Sequence, residues 1–172
     1  EYRSSRGLGD VYKRQALLAD PSDDFLERLL MTCKVDYIQL HGEESPKRVD
    51  EIASLTKTPL IKAIGVEKES DLLNIRNYEN SVDYMLLDSK VKENGRLKGG
   101  RGISFNWNII KGFNFNKPWF LAGGLNANNV IDAIKITGAT MLDVSTGVEN
   151  EPGKKSIEKM KNFIGRVNGE FI

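Results

Sequence analysis

The sequence contains few of the residues that build disulfides and metal sites: it has one cysteine, Cys33, and one histidine, His41, in 172 residues. A single cysteine excludes a disulfide framework or a cysteine-rich zinc site within one chain. The single histidine is too isolated to predict a metal site. These absences favour a reduced, cytoplasmic setting and predict that the protein holds no metal.

Long apolar runs and a surplus of charge are missing as well. No stretch reaches the roughly 18 consecutive apolar residues of a transmembrane helix, and the amino end lacks the apolar core of a signal peptide. Lysine and arginine total 25 against 24 aspartates and glutamates, a formal net charge of +1. We therefore expect neither a membrane nor a nucleic acid as partner. A small anion stays possible, because backbone N–H groups can bind phosphate without any net charge.

Residues 1–15 differ from the remainder of the chain, because they show neither helical nor strand periodicity and include four arginines and lysines. Two interpretations stay open. The segment could be a flexible native arm, or a foreign stretch translated from an adapter at the end of an incompletely assembled reading frame. The second interpretation is favoured, so we predict a non-native leader over 1–15 and a folded domain over 16–172.

From Ala16 onward, short apolar runs alternate with amphipathic stretches, a pattern that predicts about six βα units. The predicted strands are residues 16–19, 37–40, 60–64, 84–87, 119–122 and 141–144. The predicted helices include residues 70–78, 127–137 and 154–167, and an earlier helix that carries Cys33 in its middle, on the apolar face. A thiol in that position is expected to be buried and inert.

This strict alternation of apolar strands and helices predicts the α/β class, with a parallel sheet covered by helices. Two architectures fit the pattern, an open doubly wound sheet and a closed (β/α)8 barrel. Six units would fill an open sheet and fall two short of the barrel, so length alone favours the open sheet.

Polar residues and glycines cluster directly after the predicted strands, at the edge where parallel α/β folds bind ligands. The clusters after the fifth and sixth predicted strands point most strongly to an anion site. Glycines between a strand and a helix let backbone N–H groups approach an anion closely. Each cluster alone could be an ordinary turn, but two in successive βα loops predict a phosphate site. Its candidate residues are Gly123, Gly124, Ser145, Thr146 and Gly147.

Five motifs occur in one order along the chain, and together they resemble phosphoribosylanthranilate isomerase. They are Gln39–Gly42, Leu86–Ser89, Gly99–Trp107, Ala122–Val130 and Asp143–Lys155. The resemblance implies a TIM (β/α)8 barrel that is incomplete here, with about six units present and the first two missing. It also implies an enzyme of tryptophan biosynthesis that acts on a sugar phosphate. That enzyme converts N-(5'-phosphoribosyl)anthranilate to 1-(2-carboxyphenylamino)-1-deoxyribulose 5-phosphate by an Amadori rearrangement, without a cofactor.

Such a rearrangement needs an acid to open the ribose ring and a base to remove a proton from C2'. The resemblance implies that Asp88 is the general acid. The residue pattern agrees, because Asp88 directly follows an apolar strand on the ligand side. It must then keep its proton near neutral pH, which desolvation could provide. The other interpretation of Asp88 is a carboxylate that caps the following turn.

The family's base is a cysteine in a Lys-x-Cys-Gly motif at the end of the first strand, and this motif is absent from the sequence. The arginine that the family places after its second strand is absent too. Cys33 is no substitute for the base, because it is predicted to lie within a helix. As written, the sequence is predicted to lack half of the acid–base pair.

Five further residues are predicted to line the substrate pocket: Gln39, His41, Gly100, Arg101 and Asp143. His41 could equally serve in packing or hydrogen bonding, and Asp143 could merely orient the loop at Ser145. Arg101 stands where the family usually has a small residue, which leaves the contacts of its glycine-rich loop open.

Two alternative functions stay open. The chain could be a non-catalytic module that binds a phosphate ligand, or another phosphate-barrel enzyme such as indole-glycerol-phosphate synthase. The latter would need a lysine and a glutamate at strand ends, and Asp88 together with the Gln39–Gly42 motif argues against it. A six-unit fragment would also expose the edges of its first and last strands, so we predict marginal stability or aggregation. The sequence leaves the oligomeric state open.

Overall fold

A parallel sheet forms the centre of the structure, a computed structural model that describes residues 12–90, 92–93, 96–97 and 104–169. Five strands pair side by side in chain order, and each of these pairings is parallel. They are Gln15–Leu18 (β1), Tyr37–Leu40 (β2), Leu60–Val66 (β3), Tyr84–Ser89 (β4) and Trp119–Leu121 (β7). Two antiparallel hairpins lie outside this sheet: Lys92–Glu93 (β5) with Arg96–Leu97 (β6), and Glu149–Glu151 (β8) with Lys154–Lys155 (β9). The predicted α/β class with a parallel sheet is confirmed.

Helical segments connect the strands, as parallel pairing requires. The α-helices are Asp23–Thr32 (α1), Pro46–Thr56 (α2), Glu69–Leu73 (α3), Val130–Thr137 (α4) and Ile157–Asn168 (α5), and the 3-10 helices are Asn74–Asn77, Trp107–Ile110 and Thr146–Val148. Serine side chains at positions 22 and 45 cap α1 and α2 by accepting a backbone N–H three residues further on. Within the described residues, none of the helices is long and apolar enough to cross a membrane.

The two faces of the sheet bury different sets of side chains, because successive residues of a strand point to opposite sides. The larger core packs between the helices and one face, and it includes Ile38, Leu40, Leu60, Met85, Leu87 and Leu121. The opposite face carries a small apolar cluster of Ile61, Ala63, Leu86 and Ala122, joined by Tyr37, Tyr84 and Phe120. Asp88 follows Leu86 by two positions in β4, so it lies on the face of the small cluster, at its carboxyl end.

The predicted sixth strand at 141–144 is wrong as a full strand in the described part of the chain. Only an isolated parallel bridge between Leu121 and Leu142 forms there. The N–H of Leu121 donates to the carbonyl of Met141 at 2.9 Å, and the N–H of Asp143 donates to the carbonyl of Leu121 at 2.8 Å. Because β7 has only three residues, it offers a short edge for pairing. The bridge still brings Asp143 to the carboxyl end of β7.

The prediction that Cys33 lies in the middle of a helix is wrong. The helix α1 ends at Thr32, and Cys33 follows it as a half-buried residue with extended backbone angles. The backbone N–H of Cys33 still donates to the carbonyl of Leu29 at 2.8 Å, so Cys33 closes the last turn as the C-cap residue. Because α1 runs back across the sheet to reach the start of β2, Cys33 lies at the amino edge of the strands.

Three other predicted helices are shorter than expected. The segment predicted at 70–78 is α3 followed by a 3-10 helix, and the one predicted at 127–137 begins only at Val130. The backbone N–H of Asn126 donates to the side chain of Asn129 at 2.8 Å, which forms a turn before α4. The helix predicted at 154–167 begins at Ile157, because Lys154–Lys155 pairs with β8 across a turn at Gly153.

The first strand begins one residue earlier than predicted. Gln15 belongs to β1 and pairs in register with Tyr37. The N–H of Arg14 donates to the carboxylate of Asp36 at 2.8 Å. Ordered contacts therefore extend into the last residues of the predicted leader, whose non-native origin stays a prediction.

Candidate active site

Asp88 lies at the carboxyl end of β4 with only 8% of its surface exposed. Its Oδ1 accepts the N–H of Ser89 at 2.7 Å, so the turn-capping bond considered as the alternative role is present. Its Oδ2 lies 3.4 Å from Nε2 of His41. One carboxylate oxygen thus holds the following turn, and the other faces an imidazole.

A chain of polar side chains leads from β1 to Asp88. Nε2 of Gln15 donates to Oε1 of Gln39 at 2.5 Å, and Nε2 of Gln39 lies 3.3 Å from Nδ1 of His41. When the amide nitrogen of Gln39 donates to Nδ1, the proton of a neutral imidazole lies on Nε2, which faces Asp88. The structure therefore brings Gln39 and His41 to Asp88. It adds Gln15, which the predicted leader boundary had excluded.

The glycines after β7 allow a loop to approach Asp88 closely. Gly123 has a φ of +81°, and a Cβ added there would lie 2.6 Å from the backbone nitrogen of Ser89 and 2.9 Å from Oδ1 of Asp88. Gly124 follows with a φ of 67°. Both positions favour glycine, because a side chain in this left-handed region is strained, and at Gly123 it would also clash.

The second loop packs directly on the first. After Asp143, the chain passes Ser145 and forms the 3-10 helix Thr146–Val148. A Cβ added at Gly147 would lie 1.9 Å from the carbonyl oxygen of Leu125, so only glycine fits at this contact. The two predicted phosphate loops are therefore held together by a backbone contact that no other residue would permit.

These two loops and the end of β4 border one open cleft. Its empty volume, counted with its solvent-facing mouth, is about 310 Å³. The residues that line it are Asp88, Ala122, Gly123, Gly124, Leu125, Asp143, Val144, Ser145 and Thr146. The predicted acid, most of the predicted phosphate residues and Asp143 thus meet in one place, whereas Gly147 supports the cleft through its contact with Leu125.

Asp143 is a second carboxyl group in the cleft, and its environment disfavours the charged form. Burial raises the pKa of Asp143 above its ordinary value of 3.8, and the negative charge of Asp88 raises this pKa as well. The positive charge of Lys155 and the ring of His41 act in the opposite direction but do not cancel these effects. Asp143 therefore holds a proton to a higher pH than an ordinary aspartate does.

A buried ion pair, which was not predicted from the sequence, lies beneath the His41 loop. Nζ of Lys62 lies 2.8 Å from Oε2 of Glu44, and both side chains are almost fully buried. The same ammonium donates to the carbonyl of Gly42 at 2.9 Å, and Glu44 accepts the N–H groups of Asp20 and Gly42. A lysine within the apolar strand at 60–64 was the signal, because a buried charge requires a partner.

Lys155 also has an unpredicted contact, although it lies in the last of the five motifs. Its Nζ donates to Oγ of Ser145 at 2.9 Å and to Oε1 of Glu149 at 2.6 Å. The hairpin of β8 and β9 folds back after Glu149 and so brings a cation to the loop at Ser145. This contact depends on the hairpin, and residues 154–155 of the hairpin had been predicted to begin a helix.

Two of the predicted pocket residues, Gly100 and Arg101, lie outside the described residues. Within the described part, no group of three or more histidine, cysteine, aspartate or glutamate side chains is arranged to hold a metal ion.

Comparison with protein families gives a match over most of the chain. The family model described as N-(5'phosphoribosyl)anthranilate (PRA) isomerase matches residues 15–166. A curated relative, N-(5'-phosphoribosyl)anthranilate isomerase of Cereibacter sphaeroides, is 42% identical over 149 residues, which cover 87% of this chain and 70% of the relative.

Solved structures give the same result for the fold. The phosphoribosyl anthranilate isomerase of Thermotoga maritima superimposes with a TM-score of 0.80 at 32% identity, over 94% of this chain and 76% of that protein. A phosphoribosyl anthranilate isomerase in complex with reduced 1-(o-carboxyphenylamino)-1-deoxyribulose 5-phosphate gives a TM-score of 0.75 at 30% identity. That superposition covers 94% of this chain and 74% of the other.

Proposed function

The chain belongs to the N-(5'-phosphoribosyl)anthranilate isomerase family, and we propose that Asp88 is the general acid of its reaction. The substrate is N-(5'-phosphoribosyl)anthranilate, and the product is 1-(2-carboxyphenylamino)-1-deoxyribulose 5-phosphate of tryptophan biosynthesis. One observation carries the proposal: Asp88 and both glycine- and serine-bearing loops line a single cleft. An acid beside anion-binding loops is the combination that isomerisation of a sugar phosphate requires.

Asp88 donates its proton to the ribose ring oxygen as the bond from this oxygen to C1' breaks. This step leaves a Schiff base between C1' and the anthranilate nitrogen. A base then removes the proton from C2', and the resulting enolamine tautomerises to the ketone. After donation, the carboxylate of Asp88 is stabilised by the N–H of Ser89 and by Nε2–H of His41, which lie at opposite oxygens.

The loop that follows β7 and the loop that follows Asp143 are together proposed to bind the 5'-phosphate. Gly123 and Gly124 have positive φ values and leave the backbone accessible on the cleft side. Ser145 and Thr146 add hydroxyl groups to the same lining, and Gly147 lets their loop reach the first one. Backbone N–H groups and hydroxyls of this kind bind phosphate oxygens without a large net charge.

Gln39, His41 and Asp143 are proposed to shape the sugar-binding part of the pocket. Gln39 fixes the ring of His41 through Nδ1, and His41 in turn faces Asp88. Asp143 lies on the cleft wall near Asp88, close enough for their charges to interact. A carboxyl group at this position can form a hydrogen bond with a sugar hydroxyl, and the raised pKa of Asp143 extends to higher pH the range in which the carboxyl can act as the donor.

The general base is proposed to lie outside these 172 residues, because the Lys-x-Cys-Gly motif of the family does not occur among them. Cys33 does not replace it. The residue follows α1 at the amino edge of the strands, whereas Asp88 lies at the carboxyl edge. The length of the strands separates the two groups, so they cannot act on one substrate.

We further propose that the sheet is part of a closed eight-stranded barrel, with two more βα units between β1 and the segment at Leu142. In the described residues, β1 pairs only with β2, and Leu142 pairs only with Leu121. The elements at these two edges expose apolar side chains, with exposed fractions of 61% for Leu17, 68% for Ile157 and 56% for Ile164. Further units packed there would bury this surface.

One observation also favours a second candidate function, a phosphate-binding module without catalysis. The cleft with its two loops is present, whereas the motif of the base is missing from the sequence. Such a module would bind the sugar phosphate and leave it unchanged.

Isomerase activity on freshly prepared N-(5'-phosphoribosyl)anthranilate separates the two functions. The 172-residue chain is compared with a version extended by the codons that lie upstream in its gene. Turnover by the extended version alone supports the proposal, and a higher, cooperative thermal transition in that version supports the closed barrel. Turnover by the 172-residue chain would show that another base serves. Absence of turnover in both versions, with ligand binding retained, would replace the isomerase by the binding module.

A further inference from the structure

We propose that Lys155 determines the preference of the cleft for a phosphate dianion, by polarising Ser145 and supplying positive charge to the phosphate loops. This inference rests on the proposed function, because it assigns a residue to the phosphate end of the same cleft. Lys155 is not part of the cleft lining itself. It acts as a positioning residue through Ser145.

The position of Lys155 follows from the hairpin that precedes α5. The chain passes from the 3-10 helix Thr146–Val148 into β8, turns at Gly153 with a φ of 80°, and returns in β9. Glu149 and Lys155 are paired in this hairpin. The return places the ammonium group of Lys155 2.9 Å from Oγ of Ser145, although the two residues are ten positions apart in sequence.

The bond from Lys155 decides what the hydroxyl of Ser145 can do. Because Oγ accepts from the ammonium group, the hydroxyl proton stays available for donation to an acceptor in the cleft. An anion that accepts this proton lies within about 6 Å of Nζ, the sum of two ordinary hydrogen-bond lengths. The charge of Lys155 then acts on the anion together with the polarised hydroxyl.

The charges around the cleft make this contribution necessary. The lining residues include two carboxyl groups, Asp88 and Asp143, and no cationic side chain among those described. The lining therefore offers a phosphate dianion hydrogen-bond donors but no positive charge of its own. The positive charge of Lys155 already reaches this space, since it acts to lower the pKa of Asp143.

Glu149 provides a way to distinguish attraction of phosphate by Lys155 from a purely structural role of Lys155 in the hairpin. Its Oε1 accepts from Lys155 at 2.6 Å, and its Oε2 accepts the N–H of Gly153 at 3.2 Å. The hydrogen bond from Lys155 lowers the pKa of Glu149, so the carboxylate is charged and offsets part of the ammonium charge. If Lys155 attracts phosphate, neutralising Glu149 must strengthen binding. If Lys155 only braces the hairpin, neutralising Glu149 must weaken it.

The test is calorimetric titration of the chain extended by its upstream codons, the form proposed to close the barrel, with ribose 5-phosphate at pH 7.5. Variants of Lys155 and Glu149 are made in the same extended chain. We expect Lys155→Met to weaken binding about tenfold, because a charge-assisted hydrogen-bond network is lost at a partly exposed site. Lys155→Arg should recover most of the affinity, and Glu149→Gln should raise it about twofold. Lys154→Met is the matched control, since this neighbouring lysine pairs with Glu151 and does not contact Ser145. It should change affinity by less than about twofold.

The pH dependence supplies a readout that a structural role would not change. The second ionisation of a phosphate monoester lies near pH 6, so the effect of Lys155→Met should grow between about pH 5 and pH 7.5. An equal loss at all pH values, a loss in Glu149→Gln, or unchanged affinity in Lys155→Met would overturn the role of Lys155. If the unaltered chain itself binds no ribose 5-phosphate, the proposed phosphate site fails, and the inference fails with it.

Discussion

Nε2 of His41 lies 3.4 Å from Oδ2 of Asp88, and a side-chain amide from Gln39 fixes the far side of the imidazole. This arrangement gives the proposed acid a hydrogen-bond donor that can stabilise its carboxylate after proton transfer. His41 belongs to the loop after β2 and Asp88 to the end of β4, so their approach depends on the parallel sheet.

Replacement of His41 is expected to reduce catalysis more than binding. In a catalytically competent extended chain, His41→Ala should lower kcat about tenfold, because Asp88 loses a hydrogen bond that is stronger after it has given up its proton. His41→Gln should recover part of the rate, since its amide can donate to the same oxygen. Steady-state kinetics measure the effect. A rise in KM with unchanged kcat would instead assign His41 to substrate binding.

Gly123→Ala is expected to destabilise the protein and to reduce activity. The new Cβ would lie 2.6 Å from the backbone nitrogen of Ser89 at a φ of +81°. The free energy of unfolding should fall by about 2–3 kcal/mol, the sum of backbone strain and a displaced loop. Gly112→Ala is the control, because Gly112 has a φ of +76° but no atoms within 4 Å of the added Cβ. An equal loss in both variants, measured by chemical denaturation, would show that the contact with Ser89 is unimportant.

Removing one member of the buried pair of Lys62 and Glu44 is expected to lower the free energy of unfolding more than removing one member of a surface pair. Lys62→Met should reduce the free energy of unfolding by about 3 kcal/mol or more, because Glu44 is left buried without its cation. The exposed pair of Lys47 and Glu51, 3.8 Å apart, provides the comparison. Lys47→Met should change the free energy of unfolding by less than about 0.5 kcal/mol. Similar effects in both variants would contradict the importance of burial.

The same pair predicts a dependence of stability on pH. Burial acts to raise the pKa of Glu44, but the hydrogen bond and charge of Lys62 and two backbone N–H groups outweigh it, so the pKa lies below its ordinary value of 4.5. The stabilisation is therefore present above pH 4.5 and is lost as the pH falls through the lower, folded value. In Glu44→Gln, the free energy of unfolding should decline less over this acid range. If the free energy of unfolding declined equally with pH in both proteins, the ionisation of Glu44 would be excluded as the cause.

The raised pKa of Asp143 predicts that its contribution to stability depends on pH in the opposite direction. Because its pKa is raised in the folded protein, the charged form destabilises the fold, and stability is lost as the pH rises from 3.8 through the folded value. Asp143→Asn should therefore raise the thermal midpoint at neutral pH by about 2–4 °C. The gain should vanish below pH 3.8, where the unaltered carboxyl is protonated in both states. A gain that is constant with pH would point to another cause.

Much of the fold could be predicted from sequence because its determinants are local. The apolar run before Asp88 and the glycines at 123 and 124 each carry their structural meaning within a few residues. The same residues then meet in the cleft, because parallel strands bring their carboxyl ends to one edge. Membership of the isomerase family was likewise predicted from ordered motifs and is confirmed by the comparisons.

Features that depend on distant partners could not be predicted. Lys62 stands in an apolar strand, and only the fold shows that Glu44 lies within 2.8 Å of it. The segment at 154–155 has the amphipathic character of a helix start, but pairing with β8 makes it a strand. The strand expected at 141–144 depends on the length of β7, which offers only three residues. In each case, the presence or absence of a partner distant in sequence outweighs the local pattern.

The most direct test of the account concerns Asp88 itself. In the extended chain, Asp88→Asn should lower kcat by about 10²–10⁴-fold, the range for loss of a general acid. Its affinity for reduced 1-(o-carboxyphenylamino)-1-deoxyribulose 5-phosphate, the ligand bound by a solved relative, should change by less than about threefold. Asp132→Asn, on the exposed side of α4, should leave both quantities unchanged. Turnover by Asp88→Asn within tenfold of the unaltered protein would contradict the assignment of the acid.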